Sequence, residues 1–179
     1  KVDNSGAKDW DEDFWMTGEC WGWTALGGGG DYYNTGKFDS MINFSFNGGN
    51  NWDGVYRTGY PKPSSWDGYI NINKNADSDG NGNRDSVLTY ISSHDTGLTR
   101  VDDMKAVGTG LILLPGGIQI FYGDESSREK AYAGCGDGDM MTRGDMNLSE
   151  AKTSPTTAHW GKVGNFRKYN PAVGAGVGS

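Results

Sequence analysis

The chain has 179 residues, which fits one domain with a sizeable core. Sixteen basic against twenty-three acidic side chains leave a formal charge of −7, and that argues against nucleic acid or an anionic membrane as partner, since both need a basic face. Thirty glycines, in clusters such as GGGG and NGGNN, mark a loop-rich protein, but they are too scattered and too mixed with aromatics for a collagen-like or disordered chain.

The first β-like run is DFWMTGECWGW (Asp13 to Trp23), a short apolar segment that ends in Gly18-Glu19. The second, FDSMINFSF (Phe38 to Phe46), alternates Ile42, Phe44 and Phe46 on one face with Met41, Asn43 and Ser45 on the other. A short helix fits 64–72. NADSDGNGNRD then places Asp77, Asp79, Asn81, Asn83 and Asp85 in a polar turn-rich stretch. It reads either as a solvated turn or as the first half of a calcium loop, whose twelfth position holds Leu88 rather than the bidentate Glu such loops use.

SVLTYISSHD is a further strand, and it presents His94 and Asp95 side by side before Thr96-Gly97 turns the chain. Asp102 to Leu114 predicts a helix with Met104, Val107, Leu111 and Leu114 along one stripe and acidic residues in its first turn. GGIQIFYGDE (Gly116 to Glu125) is another strand running into a Gly-Asp-Glu end. Ser154-Pro155 opens the last helix with a capping serine and a proline at its first position. That helix is expected to carry Trp160, Val163 and Phe166 inward and to stop at Asn170-Pro171.

Strands alternating with helices predict parallel βα units. Glu19, Asp95 and the Asp124-Glu125 pair each follow the apolar part of a strand. In a (β/α)₈ barrel all such ends open on one face, where the active site lies, but a whole barrel needs roughly 250 residues. About four strands are legible here, so half a TIM barrel is the natural reading. The chain opens on polar residues without a Met and ends abruptly, so it reads as a segment of something longer.

Several tryptophans (Trp21, Trp23, Trp52, Trp66) lie in polar, Gly-rich surroundings, which suits either core packing or stacking on the apolar face of a sugar. Cys20 and Cys135 fit no metal-binding spacing and are either a disulfide or two free thiols. His159 reads as a helix-surface or packing residue. The longest apolar run, around Leu111 to Pro115, is far too short to span a membrane.

With SSHDT behind a strand, GECWG at an earlier strand end, GGIQIFYGDE, and HWGKVGNFRKYNPAVGAG in that order, the chain resembles the α-amylase family of glycoside hydrolases, most of all its bacterial periplasmic branch. The resemblance runs from about Asp13 to Gly176. It implies the fifth to eighth strands of the catalytic barrel over 1–172, followed by the stub of a small β domain over 173–179. It also implies that Glu19 is the general acid/base, that Asp95 stabilises the transition state, and that His94 and Trp21 contact the sugar. The family's nucleophile, an Asp two residues after an Arg at the end of strand four, has no counterpart in the chain, so this segment alone is expected not to hydrolyse glucan. A proline usual in the strand-eight motif is replaced by Ile118, as the periplasmic branch tolerates.

The same resemblance implies a secreted or periplasmic, monomeric parent acting on α-1,4-glucan, with Ca²⁺ expected and its main site outside the segment. Glu19, flanked by Trp15, Cys20 and Trp21, is expected in a partly apolar place that keeps its carboxyl protonated. Asp124-Glu125 is expected to be a structural salt-bridge station rather than a catalytic pair. Gly134 to Asn147 resembles the eighth loop, in which Arg143 and Asp145 either line the cleft or belong to a plain long loop. The alternatives are a maltooligosaccharide transglycosidase, a cyclomaltodextrinase, a non-catalytic glucan-binding relative, or a calcium-dependent carbohydrate-binding domain.

Overall fold

A computed structural model describes residues 15–21, 32, 36, 38–42, 44, 86–95, 97–114, 116–129 and 141–175. Among these, four strands form one all-parallel sheet in chain order: β1 (Thr17–Gly18), β2 (Ser40–Ile42), β3 (Ser86–Tyr90) and β4 (Gly117–Gln119). Four helices accompany them: α1 (Met104–Ile112), α2 (Leu148–Thr153), α3 (Pro155–Tyr169) and α4 (Ala172–Ala175). The fold is therefore α/β, as the alternation of elements predicts. The helix expected over 64–72, the candidate calcium residues Asp77, Asp79, Asn81, Asn83 and Asp85, and Trp23, Trp52, Trp66 and Cys135 lie outside the described residues.

The strands are shorter than the apolar runs that announce them. β2 ends at Ile42 and Phe44 already sits in a turn, while β4 stops at Gln119 and turns begin at Tyr122. Pairing sets these limits: β4 meets β3 only over Leu88 to Tyr90, and β2 meets β3 only over Ser86 to Leu88. Beyond those registers no further ladder among the described residues holds the chain extended.

The main buried cluster joins the exit of β3 to faces of α1 and α3. Ile91, Met104, Val107, Leu111, Ile112, Leu114 and Trp160 are buried together, with Val101, Ile118 and Val163 against them. The stripe predicted on α1 is thus the buried one. Its acidic residues precede the helix instead of filling its first turn, and Asp103 is the cap, its carboxylate accepting from the Ala106 N–H at 3.0 Å.

α3 starts as its sequence predicts. Ser154 Oγ accepts from the N–H groups of Thr156 and Thr157 at 3.2 and 3.3 Å, with Pro155 in the first helical position. Phe166, expected inward, is 54% exposed. Helical periodicity explains the correction: Arg167, seven residues beyond Trp160, shares its stripe. Arg167 donates to the carbonyl of Ile112 (2.8 Å), which the end of α1 leaves without a helical partner, and to those of Leu114 and Gly116 in the segment that follows. α2 was not foreseen; Ser154, in extended backbone, ends it and caps α3 in the same step.

Trp160 crosses α1 at Gly108 and donates its indole N–H to the Met104 carbonyl at 2.8 Å. A Cβ at Gly108 would lie 2.1 Å from the indole nitrogen. Gly108→Ala should therefore lower stability by about 1–3 kcal/mol through overpacking, outweighing the ~1 kcal/mol gain in helix propensity. Urea denaturation measures it, and a variant as stable as the parent contradicts this contact.

Candidate functional site

Because all four strands run parallel, the segments that leave their carboxyl ends emerge on one edge of the sheet. Glu19 follows β1, His94 and Asp95 follow β3, and Asp124 and Glu125 follow β4. Ligands of open α/β sheets bind at such an edge. β1 and β3 flank β2, so their ends stand roughly 10 Å apart at the usual strand spacing.

The loop after β3 is held on both sides. Ser93 and Gly97 form an antiparallel bridge, and Gly97 takes φ +109, a left-handed conformation that suits a residue without Cβ. The Asp95 N–H donates to Ser93 Oγ at 3.2 Å. Thr99 donates its N–H to Ser92 Oγ at 2.9 Å and its hydroxyl to the Ile91 carbonyl at 2.6 Å. His94 and Asp95 sit at the tip of this tied loop. His94 Nε2 lies 3.0 Å from Asp95 Oδ2, a hydrogen bond when that nitrogen carries its proton and an ion pair when the ring is charged.

A second segment closes over the same tip. Thr142 Oγ1 donates to the His94 carbonyl at 2.7 Å, and Arg143 Nη2 donates to Asp95 Oδ1 at 3.1 Å. The buried Arg128 donates from Nη2 to the Thr142 carbonyl at 2.8 Å, and its guanidinium lies 4.3 Å from the centre of the Tyr122 ring. The Tyr122 hydroxyl donates to the Gly144 carbonyl at 2.9 Å.

Among the described residues Glu19 does not have the partly apolar surround expected of it. It is exposed, and Trp15 and Trp21 beside it are 49% and 67% exposed, so among the described residues they do not enclose it. Trp21 instead rests against Phe44, ring centres 5.1 Å apart, and Phe44 meets the buried Tyr90 edge-on at 6.2 Å. Cys20 is a free thiol that accepts a hydrogen bond from the Tyr32 hydroxyl at 3.1 Å. That bond is the main reason the Tyr32 hydroxyl is held above its ordinary pKa.

Asp124 is fully buried and receives Arg100 Nη1 at 2.8 Å. Loss of water raises its carboxyl pKa, and the Arg100 hydrogen bond and charge offset only part of that effect. Glu125 Oε2 accepts from the Gly123 N–H at 3.0 Å. These two carboxylates hold backbone and a partner cation, as the structural reading of them anticipates. His159 Nε2 lies 2.8 Å from Thr109 Oγ1, joining α3 to α1 in a packing contact.

Among the described residues no group of three or more His, Cys, Asp or Glu could hold a metal ion, and no helix is long and apolar enough to cross a membrane. Sequence reasoning missed Phe44 as the support of Trp21, and Thr142 and Arg128 altogether. Their contacts join residues far apart in the chain, which local patterns do not register.

Fold and site together define an α/β chain with an imidazole, carboxylates and exposed aromatics along the carboxyl edge of a parallel sheet. No protein-family model matches it. Over 170 residues, 93% of its length, it is 40% identical to a periplasmic alpha-amylase of Escherichia coli (strain K12). The chain spans about 22% of the length of that relative. Identity at this level over so long a stretch supports an amylase-related chain.

Proposed function

We propose that the chain supplies the second half of the catalytic barrel of a retaining α-glucan endo-hydrolase, with β1 to β4 as barrel strands five to eight. The observation that carries the reading is the 40% identity over nearly the whole chain to a periplasmic alpha-amylase. The order in which Glu19, His94 and Asp95 follow the parallel strands of one sheet supports it. β1 and β4 are the outer strands of the described sheet, and in a closed barrel each would pair with a further strand.

In this reading Glu19 protonates the glycosidic oxygen and later takes a proton from water. Asp95 and His94 hold the sugar hydroxyls and stabilise the oxocarbenium-like transition state, and Trp21 lies against a sugar face. The nucleophilic carboxylate, roughly 5–5.5 Å from Glu19, comes from a strand outside these 179 residues. Ca²⁺, held mainly outside this stretch with 77–85 as a second place for it, and an exported location belong to the same proposal. The parent is a monomer whose partner is an α-glucan. Transglycosylation or cyclomaltodextrin cleavage uses the same groups with another acceptor or substrate.

A glucan-binding role without turnover is the second reading, favoured by the exposure of both Glu19 and Trp21. The test is to express the complete reading frame and this 179-residue chain separately and follow maltodextrin hydrolysis by NMR. The complete protein should release products of retained α configuration while the segment alone is inert. Binding without turnover by the complete protein decides for the second reading.

A further inference from the structure

We propose that Arg143 is a positioning residue for Asp95, delivered by a brace that the β4 side of the sheet lays across the end of β3; this rests on the glucan-hydrolase reading above. Asp95 stands on a short loop tip, and its two carboxylate oxygens are engaged from opposite sides, Oδ2 by His94 at 3.0 Å and Oδ1 by Arg143 at 3.1 Å. His94 is its chain neighbour and shares any movement of the tip. Arg143 comes from elsewhere in the fold, so among the described residues it is the partner that can fix where the carboxylate points independently of the tip.

The brace itself is anchored. The neighbouring Thr142 hydroxyl fastens the His94 carbonyl, and the Thr142 carbonyl is fastened by Arg128, which is only 2% exposed. On the other flank of Arg143 the Gly144 carbonyl is held by the Tyr122 hydroxyl. Arg143 thus projects from a segment tied before and after it onto a carboxylate tied beneath it. Each carboxylate oxygen has two lone pairs, so Oδ1 accepts from Arg143 and can still accept from a sugar hydroxyl.

The pair is half-open to water, with side-chain exposures of 45% for Arg143 and 29% for Asp95. Exposed ion pairs of this kind add little to stability. The contribution expected of Arg143 is therefore to geometry, which separates this role from a structural one.

The experiment compares the complete protein with its R143A and R143K forms, reading kcat, KM and melting temperature on maltodextrin. If Arg143 positions Asp95, R143A lowers kcat about 10- to 100-fold with little change in KM, since misplacing a group by an ångström can lose about that much. The melting temperature stays where it was, and R143K, which keeps a charge but not the fork, falls between the two. A kcat for R143A within about twofold of the parent overturns the role, as does a loss confined to KM, which would make Arg143 a ground-state substrate contact. A kcat loss accompanied by a lower melting temperature overturns it as well. A parent protein with no turnover on maltodextrin overturns the glucan-hydrolase reading first and the role with it.

Discussion

Replacing Glu19 with Gln in the complete protein should cut glucan hydrolysis by roughly 100- to 10,000-fold, the usual contribution of a positioned general acid, while oligosaccharide binding persists. The amide keeps the shape and removes only the proton that the leaving oxygen needs. Glu19 is exposed, so the change should leave the fold intact and the loss is chemical. A substrate with an activated aryl leaving group sharpens the test, because its departure needs little protonation. With it the first step should recover, and a burst followed by slow turnover should appear, since the proposed role also makes Glu19 the base that activates water. A glucan-binding protein without catalysis would show no turnover to lose. Equal turnover by E19Q and the parent contradicts the role assigned to Glu19.

What the sequence made legible depended on how locally each feature is encoded. α1 could be placed from the spacing of Met104, Val107, Leu111 and Leu114, because one buried stripe suffices to define a helix. α3 could be placed from Ser154-Pro155, since capping is a contact between near neighbours. Strand lengths could not, because each strand lasts only as long as its ladder, and β2 and β4 each pair with β3 over just three residues. The inward face of α3 was legible at Trp160 and misassigned at Phe166, where an arginine one residue later takes the inner stripe to reach carbonyls at and beyond the end of α1.

The site divides in the same way. His94-Asp95 stands out as a polar pair directly behind a strand, and the structure finds the two side chains in contact at the tip of a tied loop. Nothing near Arg143 in the sequence announces its bond to Asp95, which joins positions 48 residues apart. The apolar surround expected around Glu19 was argued from chain neighbours. Chain neighbours need not enclose one another: the strand has ended before Glu19, Trp21 already stands in a turn, and its ring rests against Phe44 rather than over Glu19.

Removing the buried carboxylate of Asp124 should produce a large loss of stability. Asp124→Ala leaves Arg100, 15% exposed, without its 2.8 Å partner, and breaking such a buried pair costs about 3–5 kcal/mol. Asp124→Asn keeps an oxygen for Arg100 and should lose less. The asparagine form also isolates a pH effect. Burial holds the folded-state pKa of Asp124 above its ordinary 3.8, so the folded chain binds this proton more tightly than the unfolded chain does. Stability from the group is then fully present below the ordinary value and declines as pH rises through the raised one. The unfolding free energy of the parent minus that of D124N, followed by urea titration upward from about pH 4, should therefore fall with pH. If it rises instead, pairing with Arg100 outweighs desolvation, and the carboxyl is held below its ordinary value after all. Either slope leaves Asp124 with the task the geometry gives it, which is to fix Arg100 between the loop after β3 and the turn after β4 from which Arg128 supports the segment over Asp95.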